Sequence, residues 1–203
     1  MRLETIAIHA GAEPDSETGA VASPLHLSTT FKHGPAGERV AGYEYQREAN
    51  PTQDRLEVCL AALEGGERAL AYASGMAAMA GLLESLPNDS HVLIPCDCYT
   101  GLRYLGAEFL NLRGIETQAI DMSDLQLVSD SLKPNTKLIW AETPSNPLLA
   151  IADIAELARI AHQHGALLAC DNTFATPVLQ QPLILCADVV MHSTTKYFGG
   201  HSD

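Results

Sequence analysis

Positive charge is scarce in this chain. Over 203 residues, 12 Lys and Arg stand against 25 Asp and Glu, a formal net charge of −13. Nucleic-acid binding needs clustered cations to neutralise phosphates, so no nucleic-acid partner is expected. Attachment to an anionic membrane surface fails on the same ground. No apolar run is long enough to span a bilayer. The opening Met1-Arg2-Leu3-Glu4-Thr5 is not followed by the apolar core of a signal peptide. Cysteines number five, an odd count, and none form a CxxC pair. Cys96-Asp97-Cys98 has the wrong spacing for a zinc ribbon, so no metal is expected and the thiols read as reduced and mostly buried. The expected location is therefore the cytoplasm. There is no internal repeat, no low-complexity tract, no P-loop and no GxGxxG turn, which disfavours a dinucleotide-binding protein.

What is present is ordinary for a globular fold: 46% hydrophobic and 18% charged residues, enough for one domain with a short arm. Residues 1 to 50 lack sustained periodicity and contain Pro14, Pro24 and Pro35, which predicts an extended amino-terminal arm. Pro51 then opens a helical pattern, with Leu56, Cys59, Leu60 and Leu63 on one face and Gly65-Gly66 as its stop. From there to residue 203 strands and helices alternate. Strands are predicted over 69–72, 91–95, 117–120, 137–142, 166–170 and 188–191. Helices are predicted over 75–86, 99–112, 125–131 and 154–164. That alternation predicts an α/β fold with a mainly parallel sheet and helices on both faces.

Ligands of open α/β sheets sit beyond the carboxyl ends of the strands, and polar clusters fall there. Ser193-Thr194-Thr195-Lys196 puts hydroxyls suited to phosphate oxygens before a lysine whose amine can form a Schiff base with an aldehyde. Pyridoxal 5'-phosphate (PLP) offers both groups. Alone, Lys196 reads equally as a solvated surface lysine. Asp171, closing the apolar run Leu167-Leu168-Ala169-Cys170, could keep a pyridine nitrogen protonated, or could be a structural carboxylate. Gly75 and Met76 could present backbone N–H groups to an anion at a helix amino terminus, or Gly75 could serve a tight turn. Tyr99 could stack on a ring or simply pack. Asn146, between Pro144 and Pro147, could aim its amide at a ring substituent or form an Asx-turn.

Together these segments resemble the Cys/Met-metabolism PLP-dependent enzymes, a family that includes cystathionine γ-synthase, cystathionine γ-lyase, homoserine sulfhydrylases and methionine γ-lyase. The likeness runs from Thr5-Ile6-Ala7-Ile8-His9-Ala10-Gly11 through Tyr43-Glu44-Tyr45-Gln46-Arg47-Glu48-Ala49-Asn50-Pro51-Thr52 and Ser74-Gly75-Met76-Ala77-Ala78. Glu142-Thr143-Pro144-Ser145-Asn146-Pro147, Asp171-Asn172-Thr173-Phe174, Ser193-Thr194-Thr195-Lys196-Tyr197 and Gly200-His201-Ser202-Asp203 complete it. The resemblance implies the fold-type I PLP-dependent transferase architecture. Residues 1–50 would be its arm and 51–203 an incomplete PLP-binding large domain, with a carboxyl-terminal domain absent. It implies Lys196 as the cofactor lysine, Asp171 as the partner of the ring nitrogen, and Ser193, Thr195, Gly75 and Met76 as the phosphate cradle. Tyr99 would be the stacking tyrosine and Asn146 the amide near the phenolic oxygen. Tyr45 and Arg47 would reach the phosphate of a neighbouring subunit in a homo-oligomer, a dimer of dimers.

The implied activity is elimination or replacement at the β or γ carbon of sulfur amino acids, of cystathionine γ-synthase or γ-lyase type. Homoserine sulfhydrylase or another carbon–sulfur lyase is the alternative, and an inactive PLP-binding fragment or interaction module is an alternative of another class. After Tyr99 the family usually has Gly-Gly-Thr or Gly-Cys-Thr. Here Thr100-Gly101-Leu102 follows, without the cysteine typical of methionine γ-lyases.

Overall fold

The alternation of short apolar runs and helices becomes a five-stranded, wholly parallel sheet. In the computed structural model, which describes residues 1–202, the strands are β1 (His91–Pro95), β2 (Glu116–Ile120), β3 (Thr136–Glu142), β4 (Leu167–Asp171) and β5 (Val189–Met191). Their order is β2-β1-β3-β4-β5. The four helices around them are α3 (Gly75–Glu84), α4 (Thr100–Tyr104), α5 (Leu125–Asp130) and α6 (Ile154–His164).

Side chains of a strand alternate between faces, and two apolar layers follow from that. Leu93, Ile139, Ala141, Leu168 and Cys170 face the layer shared with Val128 of α5 and with Ile154, Leu157, Ala158 and Ala161 of α6. Val92, Ile94, Leu138, Trp140, Ala169 and Met191 face the other layer, with Met79 and Leu83 of α3 and Leu102 of α4. Burying a side chain such as Leu157 completely contributes about 1.5–3 kcal/mol. The helix ends are set locally. Ser74 Oγ accepts the N–H of Ala77 at 3.1 Å, Asp124 caps α5, and Asp153 caps α6, which stops at Gly165 with φ 75°.

The chain divides into two units, residues 1–71 and residues 72 onward. The first holds α1 (Leu3–His9) and α2 (Pro51–Glu64). Asn50 caps α2 by accepting the N–H of Thr52 at 2.8 Å, Pro51 takes the first helical position, and Gly65 ends the helix at φ 71°. The lack of periodicity in the first 50 residues predicts an extended arm, but they are not wholly extended. They contain α1, and a short turn closes on itself where Gly34 N–H donates to Glu38 O and Gly37 turns at φ 81°.

Two further elements differ from the expectation. Residues 69–72 form no strand, because among the described residues they have no strand neighbour to complete a ladder. The helix expected over 99–112 breaks. α4 passes into a π-helical turn (Leu105–Phe109) and then a 3₁₀ turn (Leu110–Arg113). There Gly106 lies so near β2 that a Cβ would stand 2.9 Å from Thr117 Cγ2. A further short helix, α7 (Thr176–Leu179), follows β4. Among the described residues, no helix is long and apolar enough to cross a membrane.

Candidate active site

The strand order reverses at β1: the chain leaves it toward β2 on one side, and β3 pairs on the other. Such a reversal opens a crevice beyond the carboxyl ends of the two strands, where ligands of open α/β sheets bind. The turn after β1, Cys96–Tyr99, and the loop after β3, 143–150, line that crevice. Glu142, last residue of β3, joins them. Its Oε2 accepts the N–H of Tyr99 at 2.8 Å and its Oε1 accepts the N–H of Asn146 at 2.7 Å. The loop then runs through two cis bonds, Thr143–Pro144 and Asn146–Pro147. Asp97 ties it down further by accepting the hydroxyl of Ser145 and, at 3.2 Å, the N–H of Leu148.

Glu142 and Asp171 are register partners at the ends of β3 and β4, so they stand on adjacent strands about 4.8 Å apart and on the same face of the sheet. Both are buried, each only 7% exposed. Burial pushes the Glu142 carboxyl up to about 7, helped by the neighbouring negative charges of Asp171 and Asp97 and opposed by the two N–H donors. Burial also raises Asp171, against hydrogen bonds from the side chain and backbone of Thr173 and the nearby His192.

Thr173 carries the site onward. Its N–H donates to Asp171 Oδ1 at 3.0 Å, and its Oγ1 accepts the N–H of Ser193 at 2.9 Å. Ser193 in turn packs on the amino terminus of α3. A Cβ built on Gly75 would stand 2.9 Å from Ser193 Cβ and 3.0 Å from its Oγ, so only glycine allows this approach. The first N–H groups of a helix, here those of Gly75 and Met76, have no acceptor within it. Lys196 sits on the same turn as Ser193, whose carbonyl accepts the Lys196 N–H at 3.1 Å. The Lys196 side chain is exposed and Thr195 is half-buried.

Tyr99, 41% exposed, lies beside Met76: its ring and the Met76 sulfur both reach Gly101, where any side chain would overlap them. The structure thus links Asp171, Ser193, Gly75 and the Lys196 turn into one chain of contacts, and Tyr99, Asn146 and Met76 into an adjoining one. Gly75 follows no strand, contrary to expectation, since residues 69–72 form none. Tyr45 and Arg47 belong to the first unit, where the Arg47 guanidinium stands 4.4 Å over the Tyr45 ring.

Sequence reasoning missed Glu142, Asp97 and Thr173 as parts of the site. The available signal for Glu142 was an acid closing a buried run, Leu138-Ile139-Trp140-Ala141, where a charge has no apolar reason to be.

These features define an α/β protein whose parallel sheet gathers buried acids and the open amino terminus of a helix at its carboxyl rim. The chain belongs to the Cys/Met metabolism PLP-dependent enzyme family, which it matches over residues 4–203. A probable cystathionine γ-synthase of Herpetosiphon aurantiacus is 47% identical over 199 residues, 98% of this chain and 62% of that protein. A cystathionine γ-lyase of Bacillus subtilis is 46% identical over 203 residues, 100% of this chain and 53% of that protein. The crystal structure of metB from Corynebacterium glutamicum superposes with a TM-score of 0.97 at 45% identity, covering 100% of this chain and 53% of that one. The chain spans about half the length of the curated relatives it matches.

The family's cofactor is PLP, and the residues present fit its three polar ends. The glycine cradle at Gly75 and Ser193, with the two open N–H groups of α3, suits a phosphate. The buried Asp171, register partner of the acid Glu142, suits a protonated ring nitrogen. The lysine on the connecting turn suits an aldehyde.

Proposed function

We propose that the protein catalyses PLP-dependent elimination or replacement at the β or γ carbon of sulfur amino acids, as a cystathionine γ-synthase or γ-lyase does. One observation carries the reading. A buried carboxylate, Asp171, is joined through Thr173 to Ser193, on the very turn that bears Lys196 and packs against Gly75. The relatives' names supply the substrate class.

When bound, PLP supplies an aldehyde that captures amines and a ring that accepts electron pairs. The chain's residues then divide the work. Ser193, Thr195 and the N–H groups of Gly75 and Met76 hold the phosphate. Asp171 keeps a proton on the ring nitrogen, because a negative charge beside it favours the charged form. Tyr99 stacks on the ring, and Asn146 directs its amide to the phenolic oxygen. The Nζ of Lys196 would hold the cofactor's aldehyde, and the same amine would serve as the general base for the proton at the substrate's α carbon. Tyr99 is a further proton-transfer partner near the leaving group. Tyr45 and Arg47, paired in the first unit, serve the phosphate of a neighbouring copy, so the working protein is a homo-oligomer, a dimer of dimers. Five free cysteines accord with a cytoplasmic setting.

Borohydride reduction of the intact holoenzyme followed by peptide mapping tests the assignment. The expected adduct is on Lys196, and an adduct elsewhere overturns it. Product analysis with cystathionine against acyl-homoserine plus sulfide then separates synthase or lyase chemistry from sulfhydrylation.

A further inference from the structure

We infer that Glu142 is a positioning residue, whose single buried carboxylate fixes Tyr99 and Asn146 in one frame and thereby sets how the cofactor ring lies between them. The cofactor reading above underlies this.

β1 and β3 are hydrogen-bonded neighbours along His91–Leu93, but beyond their carboxyl ends the backbone ladder stops and the crevice begins. Across it, Glu142 provides a direct link. One oxygen accepts from the turn after β1 at Tyr99, and the other accepts from the loop after β3 at Asn146, at 2.8 and 2.7 Å. Charge-assisted bonds of this length are the stronger kind. Each oxygen serves a different wall, so the width of the crevice at the two residues is held by the span of one carboxylate.

Asp97 makes a second tie on the same loop, through the Ser145 hydroxyl and Leu148 N–H. Ser145 Oγ in turn accepts the N–H of Ala150 at 2.8 Å. Asn146 therefore has little freedom except through Glu142. The Tyr99 ring and the Met76 sulfur both stand against the bare backbone of Gly101, and the Tyr99 backbone N–H is anchored by the Glu142 oxygen. Neither role needs Glu142 to touch a ligand.

Two N–H donors need an acceptor-only group, which a carboxylate is and a carboxylic acid is not. The charged groups that face Glu142 are Asp171 from β4 and Asp97 from the turn after β1, with the Cys98 thiol beside them. Both charged neighbours are acids, so ionisation is opposed and is reached only near neutrality, about 7. A ring cation seated at Asp171 offsets part of that repulsion. The frame is thus tightest when the site is loaded and the pH is above about 7.

Glu142→Gln in the intact holoenzyme tests this. Glutamine keeps the shape but turns an NH₂ group toward one of the two N–H donors. The expected result is an adduct still on Lys196, cofactor affinity about tenfold weaker, and a several-fold smaller visible circular dichroism of the bound cofactor. The unsubstituted holoenzyme should lose that dichroism as pH falls below about 7, since the ring cation moves the uptake of a proton by Glu142 to lower pH than in the empty site, while the variant shows no such step. The titration of the unsubstituted protein decides the matter even where the variant does not fold. A labelled Lys196 with dichroism flat from neutrality down to the acid limit of the folded protein overturns the inference alone. No label on Lys196 in the unsubstituted protein overturns the cofactor reading and this inference with it.

Discussion

The two rims of the sheet treat buried polar groups in opposite ways. At the amino-terminal rim, the buried polar group and the charges beside it are partnered. His91, fully buried at the start of β1, stands 2.8 Å from Thr136 Oγ1 and 3.2 Å from Gln118 Oε1. The glutamine oxygen can only accept, so Nε2 carries the proton and Nδ1 accepts from the Thr136 hydroxyl. That hydroxyl also accepts the N–H of Lys133, and Lys133 Nζ pairs with Glu116 at 2.6 Å. At the carboxyl rim, Glu142, Asp171 and Asp97 stand together, and among the described residues none forms an ion pair with a Lys or Arg. Backbone N–H groups and hydroxyls support them instead. One rim is closed on itself. The other holds buried acids that have no Lys or Arg partner among the described residues, with His192 beside Asp171, an arrangement more typical of binding sites than of scaffolds.

Neutralising the uncompensated acid breaks that contrast most forcefully. Asp171→Asn in the holoenzyme should lower turnover by about a hundredfold or more. The same change should raise the urea midpoint of the cofactor-free protein, since it removes a carboxylate whose charged form burial opposes. Turnover and denaturation midpoints measured on one preparation check both signs. A variant that loses activity and stability together would place Asp171 with the scaffold.

The converse substitution is at the other rim. His91→Ala removes a fully buried side chain and leaves Gln118 and Thr136 without their partner, at a cost of about 3 kcal/mol. Urea unfolding reads the loss. Turnover per folded molecule should stay unchanged, because the substitution lies at the far ends of the strands from Lys196.

How legible this contrast was in the sequence depended on whether a residue's role is local. Asn50-Pro51, Ser74 and Asp153 before helices, and Gly65 and Gly165 after them, act within their own turns, and they fall where capping rules put them. The buried runs at 91–95, 137–142 and 166–170 read as strands because both faces are covered. Residues 69–72 have the same apolar character, but a strand exists only with a partner, and propensity carries no information about partners. Asp171, Ser193 and Lys196 were visible because their chemistry is distinctive. Glu142 was not, since its part depends on a crevice between strands that are neighbours in the sheet but not consecutive in the sequence. The Gly75–Ser193 contact joins residues more than a hundred positions apart, and only the coordinates supply it.

Two glycines sharpen the comparison further. Gly75→Ala places a Cβ 2.9 Å from Ser193 Cβ, and should weaken cofactor affinity by about tenfold by forcing apart the two walls of the phosphate cradle. Gly165→Ala meets nothing within 4 Å, but it imposes φ 75° on a residue with a side chain. It should cost about 1 kcal/mol in stability and leave affinity alone. Cofactor titrations and thermal melts of both variants separate a steric effect at the site from backbone strain in the scaffold.

The smallest effect is a pair of opposing slopes against pH. Glu142 titrates near 7 in the folded chain against 4.5 ordinarily, so between those values the folded state holds the extra proton. Stability of the cofactor-free protein therefore falls as pH rises through that window, and Asp171, also raised, adds to the fall. His91 is shifted the other way, below its ordinary 6.5, chiefly by burial and then by Lys133. Below 6.5 the unfolded state holds the extra proton, so stability is lost as pH falls. Below 6.5 and above 4.5 the two rims act in opposite directions, and each partly masks the other. Relative to the unsubstituted protein, Glu142→Gln should make urea midpoints rise more steeply with pH there, and His91→Gln should make them fall more steeply. Equal slopes in both variants would mean that the rims do not differ in the way their hydrogen bonding implies. A bound ring cation at Asp171 should flatten only the limb that belongs to the carboxyl rim, because only there is the buried charge left for a ligand to answer.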